Sequence, residues 1–231
     1  MSSGTVKKSS ADRAKRLKRL EEFALEKGAA RAKIFSARKV VVDERVRMKC
    51  QIPRCPHYGI GHNCPPNVPT VGEFRDSLAL YTNALLLQTV APIGREMDSY
   101  ERKQVLDFFK GKDAACATKD TMEVKGGEGK DRNKDFDNTR LAAIKLHKII
   151  NETELQAMSL GFYYALGLIG GDCMLCSSCP GIGTPCRRPY ESRPAIEGLG
   201  VDVIATSIAA GLPFDMPPVS EIVWTGLILV D

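Results

Sequence analysis

Long hydrophobic runs are missing from this 231-residue chain. No apolar stretch approaches the roughly 20 residues that a helix needs to cross a bilayer, so no membrane association is expected. No apolar segment follows Lys7 and Lys8 before the charged stretch opening at Asp12, so a secretory signal is not expected either. Aromatic residues are scarce, at 6%. No nucleic-acid motif accompanies the basic residues, which argues against DNA or RNA as a partner. Histidine is scarcer still, with three residues, and no Ser/His/Asp or Cys/His arrangement for nucleophilic catalysis stands out. The run Gly126-Gly127-Glu128-Gly129-Lys130 lacks the spacing and the preceding strand of a phosphate-binding loop. No repeat is evident at a solenoid period. What remains is an ordinary globular composition, 43% hydrophobic and 26% charged.

Charge is distributed unevenly. Residues 1–50 hold 15 Lys and Arg against 6 Asp and Glu, while the remainder is slightly acidic. Such an end can attract an acidic partner or another subunit, but a solvated helix face is the plainer reading.

Cysteine is the residue type with a pattern. Seven of the eight form two groups, Cys50, Cys55, Cys64 and Cys173, Cys176, Cys179, Cys186. The second reads Cys-x2-Cys-x2-Cys-x6-Cys with Pro180 after the third. Three thiolates at three-residue intervals wrap one loop around a compact centre, as in bacterial ferredoxins. A zinc ribbon usually separates two Cys-x2-Cys pairs. The spacing therefore favours an iron–sulfur cluster, with zinc as the alternative. Gly170 and Gly171 before the loop are expected to let its backbone turn closely against the cluster. Clustered thiolates also argue against a disulfide scaffold and for a reducing, cytoplasmic setting.

The first group, Cys50-x4-Cys55-x8-Cys64, leaves a fourth position open. His57 and His62 lie within its loop and could fill it, as could Cys116, although Cys116, set among alanines, is expected to be an ordinary buried thiol. An iron without a protein side chain would be a Lewis acid able to take a small substrate. A fully cysteine-ligated cluster would only pass electrons. Near the second group, Arg193 is a candidate to offset thiolate charge or hold an anion, and Asp172, Glu191 and Glu197 are candidate proton carriers.

The chain organises as a disordered tail over 1–10 and a single α+β domain over 11–231. Apolar periodicity predicts helices over 11–27, from a Thr70 cap to about residue 81, over 97–109, 139–159 and 202–210. Strand-like stretches fall at 32–36, 40–46, 84–90, 162–169 and 222–230. Gln51–Pro69 holds five prolines and must be a structured loop, and 111–138 reads as a mobile polar insertion. The expected architecture is a small mixed sheet with helices packed on one side and two cysteine-rich metal-binding loops leaving strand ends and converging.

Four stretches carry a family resemblance: Val46-Arg47-Met48-Lys49-Cys50; His62-Asn63-Cys64-Pro65-Pro66-Asn67-Val68-Pro69-Thr70; Gly170-Gly171-Asp172-Cys173-Met174-Leu175-Cys176; and Arg193-Pro194-Ala195-Ile196-Glu197-Gly198-Leu199-Gly200-Val201-Asp202-Val203. In them the chain resembles the predicted metal-binding protein family, domain of unknown function 2284. Ala195-Ile196 stands where the family pattern has Ser-Met, and Cys116 matches no family element. The resemblance implies cysteine-bound metal, but no established reaction. The function expected is therefore an iron–sulfur protein with one or two [4Fe–4S] clusters, serving electron transfer for a redox partner. The alternatives are an enzyme binding a small-molecule substrate at an open cluster on Cys50, Cys55 and Cys64, or a zinc-stabilised binding module.

Overall fold

The computed structural model describes residues 10–95, 97, 99, 100, 103, 130–176 and 178–231, with the backbone alone over 130–137. Among these, five helices and four strands follow in the order α1 (Ser10–Glu26), β1 (Arg31–Ser36), α2 (Glu44–Gln51), α3 (Val71–Leu78), β2 (Asn83–Pro92), α4 (Lys130–Ser159), β3 (Leu166–Ile169), α5 (Val203–Ala210) and β4 (Glu221–Val230). The strands form one sheet in the order β1-β2-β4-β3, with antiparallel pairing throughout. The class is α+β, as expected, but no pair of strands is parallel.

The sheet is covered on both faces, not one. Alternate residues of each central strand point to opposite sides. Ala84, Leu86, Leu227 and Leu229 join Phe74 and Leu78 of α3 and Ala210 of α5 in one core. Leu85, Leu87, Ile228 and Val230 join Leu17, Leu20 and Ala24 of α1 and Leu146, Ile149 and Ile150 of α4 in another. That is why Ala84–Thr89 and Thr225–Val230 are buried without a break. A strand buried on both faces reads as a continuous apolar run instead of an alternation.

Local chemistry sets most boundaries. Thr70 caps α3 through a capping box, accepting from Glu73 N–H at 3.2 Å while the Glu73 carboxylate accepts from Thr70 N–H at 2.8 Å. Asp202 caps α5 by accepting from Ala205 N–H at 2.9 Å, and Gly211 ends that helix at φ 78°. Two expectations fail. The stretch 40–46 is not a strand: Val42 makes one bridge to Val201, and α2 begins at Glu44 behind an Asp43 cap. Cys50 therefore lies in a helix, and the first cysteine loop leaves α2 instead of a strand end. Within 162–169 only Leu166–Ile169 is a strand.

The helix α4 starts at Lys130, inside the stretch expected as insertion, and runs unbroken past Asn151. The rest of 111–129, the tail before Ser10 and Cys116 lie outside the described residues, as does most of the helix expected over 97–109. Buried Asn138 ties α4 to the end of β2, donating to Pro92 O at 3.1 Å and Arg95 O at 2.7 Å and accepting from Met97 N–H at 3.1 Å. Thr89 Oγ1 donates to Ala142 O at 2.8 Å. These bonds fix the turn of α4 that carries Thr139 and Arg140.

At the end of β3, Gly170 N–H donates to Thr225 O at 2.7 Å, and a Cβ at Gly170 would stand 2.5 Å from that same oxygen. Backbone on both sides leaves nothing to move aside. Gly170→Ala should lower unfolding stability by about 1–3 kcal/mol, as overpacking does. Gly72→Ala, on the exposed face of α3 with no atom within 4 Å of its Cβ, should raise stability by about 0.4–1 kcal/mol. Denaturant titration of both variants checks the contrast.

Candidate metal centre

The two cysteine loops meet through a third segment. Ala195 N–H donates to Asn63 O in the first loop at 3.0 Å, and Ile196 N–H donates to Ile169 O, just before the second, at 2.8 Å. Arg47 of α2 reaches across, donating from Nη1 to Pro69 O at 2.6 Å and to Gly198 O at 3.0 Å. Gly198 lies against Pro65, where a Cβ would meet the ring at 2.9 Å. Residues 193–203, singled out in the sequence only as a motif, are thus the brace between the loops.

Each loop is ordered by its own backbone. In the first, Cys55 N–H donates to Cys50 O at 3.0 Å, Gly59 N–H to Pro65 O at 2.8 Å, and the Asn67 amide to Gly61 O at 3.1 Å. In the second, the Gly171 N–H is held by both carboxylate oxygens of Glu197, at 3.1 and 3.0 Å. Arg188 donates to Glu191 and, from Nη1, to Leu175 O at 3.2 Å, while its backbone N–H points at Cys186 Sγ at 3.4 Å. Arg187 closes the loop onto Ser178 O at 2.7 Å. Gly171, at φ 75°, is pressed against Trp224, whose ring a Cβ would meet at 2.4 Å. The close approach made by Gly170 and Gly171 is therefore to β4 and its indole.

Between the loops lies a cavity of about 380 Å³. Cys64 lines it from one side and Cys173, Cys176, Cys179 and Cys186 from the other, with Thr139 and Arg140 of α4 contributing a third wall. Cys50 and Cys55 are not part of the lining, but both act electrostatically on Cys64. His57 Nε2 faces Asp172 Oδ2 across the two loops at 3.4 Å. No group of three or more His, Cys, Asp or Glu side chains among the described residues is placed to hold a single metal ion. The thiols stand around a volume.

Burial dominates the titration of these groups. It pushes the Cys64 thiol up to about 12, with Asp172 and the thiols of Cys55, Cys50 and Cys173 adding to the rise. Cys173 goes up to about 11 for the same first reason, opposed by hydrogen bonds from the Leu175 backbone and the Asn63 side chain. Cys50 is raised by burial and then by Cys55. A cation must therefore displace protons from these thiols to bind them.

Several site residues were not legible in sequence. Asn63 touches Cys173 from the opposite loop. His147 is almost fully buried in α4. Burial first, and then the neighbouring Arg193 and Arg188, hold its pKa down to about 3. Thr139, Ala143 and His147 share a helix face by their four-residue spacing, but nothing in the spacing says that this face meets a cysteine loop. Two expected roles change. Arg193 is occupied by Glu154, by Tyr190 O at 3.0 Å and by Ser192 O at 3.0 Å, so it braces the chain. Glu191 and Glu197 are engaged by Arg188 and by Gly171 N–H respectively.

An α+β scaffold that brings thiols from two distant loops to one cavity has the make-up of a metal-binding protein. The sequence model of the predicted metal-binding protein family, domain of unknown function 2284, matches residues 33–230. The chain belongs to that family. No curated protein and no solved structure matches it. No helix among the described residues is long and apolar enough to cross a membrane.

Because His147 is neutral when folded, its contribution to stability is complete above its ordinary pKa of 6.5 and is lost as pH falls below that value toward 3. Between pH 7 and pH 5.5 the protein should lose about 1 kcal/mol more stability than the His147→Gln variant. Denaturant midpoints at the two pH values measure this difference, and equal losses would show that His147 takes up its proton freely.

Proposed function

We propose that the protein is an iron–sulfur protein that passes electrons to a partner enzyme in a reducing compartment. Cys173, Cys176, Cys179 and Cys186 hold a [4Fe–4S] centre, and Cys50, Cys55 and Cys64 hold a second beside it. The observation that carries this reading is the cavity into which all four thiols of the second loop open, together with Cys64 of the first. A four-iron cube takes one thiolate at each corner, so its ligands surround a volume. A single zinc draws four ligands to within about 2.3 Å of one point.

The donor set suits the cluster. Sulfur is its customary ligand atom, and the N–H of Arg188 already points at Cys186 Sγ. Hydrogen bonds of this kind to ligand sulfur help set the potential of such centres. When bound, the group supplies one-electron transfer. The chain's own residues hold it and place Arg188 and Arg187 across the closing turn.

Anaerobic preparation followed by iron, sulfide and zinc determination tests the proposal. The expected protein is brown and contains iron and acid-labile sulfide in near-equal amounts. Cys176→Ser should lose one centre's iron, and Cys116→Ser should keep all of it. Zinc without sulfide would replace this reading with that of a zinc-stabilised module.

A further inference from the structure

The cavity has more walls than a cluster uses. Beyond the thiols it is lined by His57, His62, Asn63, Thr139, Arg140 and Asp172. Two nitrogens in this polar part, Arg140 Nε and His62 Nε2, are buried with no hydrogen-bond partner among the described residues. Buried nitrogens of this kind normally find an acceptor. Among the described lining residues Arg140 is the only guanidinium, and the only carboxylate, Asp172, is faced by His57 at 3.4 Å. The Asn138 and Thr89 bonds tie the turn of α4 that bears Arg140 to β2.

We propose that Arg140 and His62 form an anion-binding subsite in the cysteine-lined cavity, and that it takes the carboxylate or phosphate group of a small molecule. The guanidinium offers planar paired donors suited to either group, and the imidazole N–H adds a third. Thr139 and Asn63 supply the polar surround. The assignment rests on the cluster reading above, because the thiols are then occupied and the anion lies beside the metal.

The test is calorimetric titration of the anaerobically prepared protein, at low ionic strength, with succinate and with inorganic phosphate in separate arms. Iron and sulfide are counted in every sample. Saturable binding of either anion is expected, and the arm that saturates names the group recognised. Arg140→Gln should weaken that binding at least tenfold with iron and sulfide unchanged, and His62→Gln should weaken it by a smaller factor. Arg140→Lys should recover part of it, since it keeps the charge without the fork. Absence of saturable binding in both arms would overturn the proposal, as would undiminished binding by Arg140→Gln. An arginine that only offset thiolate charge would give the first of these results. Anion binding by a protein free of iron and sulfide would overturn the cluster reading and leave the subsite standing, so the two failures are distinct.

Discussion

Two backbone hydrogen bonds hold the site together. Ala195 N–H to Asn63 O and Ile196 N–H to Ile169 O lie one residue apart, at an isolated bridge and the turn that follows it. One reaches the first cysteine loop and the other the start of the second. They draw together thiols separated by more than a hundred residues of sequence. Arg47 doubles the connection by bonding carbonyls on both Pro69 and Gly198. The brace is itself anchored beneath the sheet, where Ile196, Leu199 and Val201 join the core formed with α3 and α5. The position of the thiols is thus a consequence of apolar packing one layer below them.

The same packing explains the electrostatics. Burial raises Cys64 and Cys173 and lowers His147, so sulfur and imidazole alike are held in their uncharged forms. Desolvation disfavours whichever form is ionised. Charge at this site is instead supplied by two fixed pairs, Arg188 with Glu191 and Arg193 with Glu154, while a third contact sets His57 against Asp172. The first two pairs stiffen the second loop and its flank, and the third links the loops directly. Such an environment accepts a cation readily once protons leave, because the negative charge of the thiolates is otherwise costly there.

Periodicity in the sequence announces α1, α3, α5 and the central strands, because each has a strong local signal: an apolar stripe, a Thr or Asp cap, or a glycine stop. The cysteine groups announce themselves by spacing. What could not be read is where coverage comes from. The run Ala84–Leu87 looks the same whether one face or two are buried, so helices on both sides were not foreseen. The identity of α2 was masked by the branched residues Val40–Val42 and Val46, which suit a strand locally but are overridden by the Asp43 cap. Asn63, Arg140 and His147 were illegible for a different reason. Each acts across a contact between segments distant in sequence, and no local pattern encodes such a contact.

The chain contains a single tryptophan, and its ring is the surface on which Gly171 rests, two residues before the first thiol of the second loop. A rearrangement of that loop must therefore lift backbone from indole. The protein carries a native fluorophore at the root of its cysteine turn, and emission from Trp224 reports on the loop's seating without any added label.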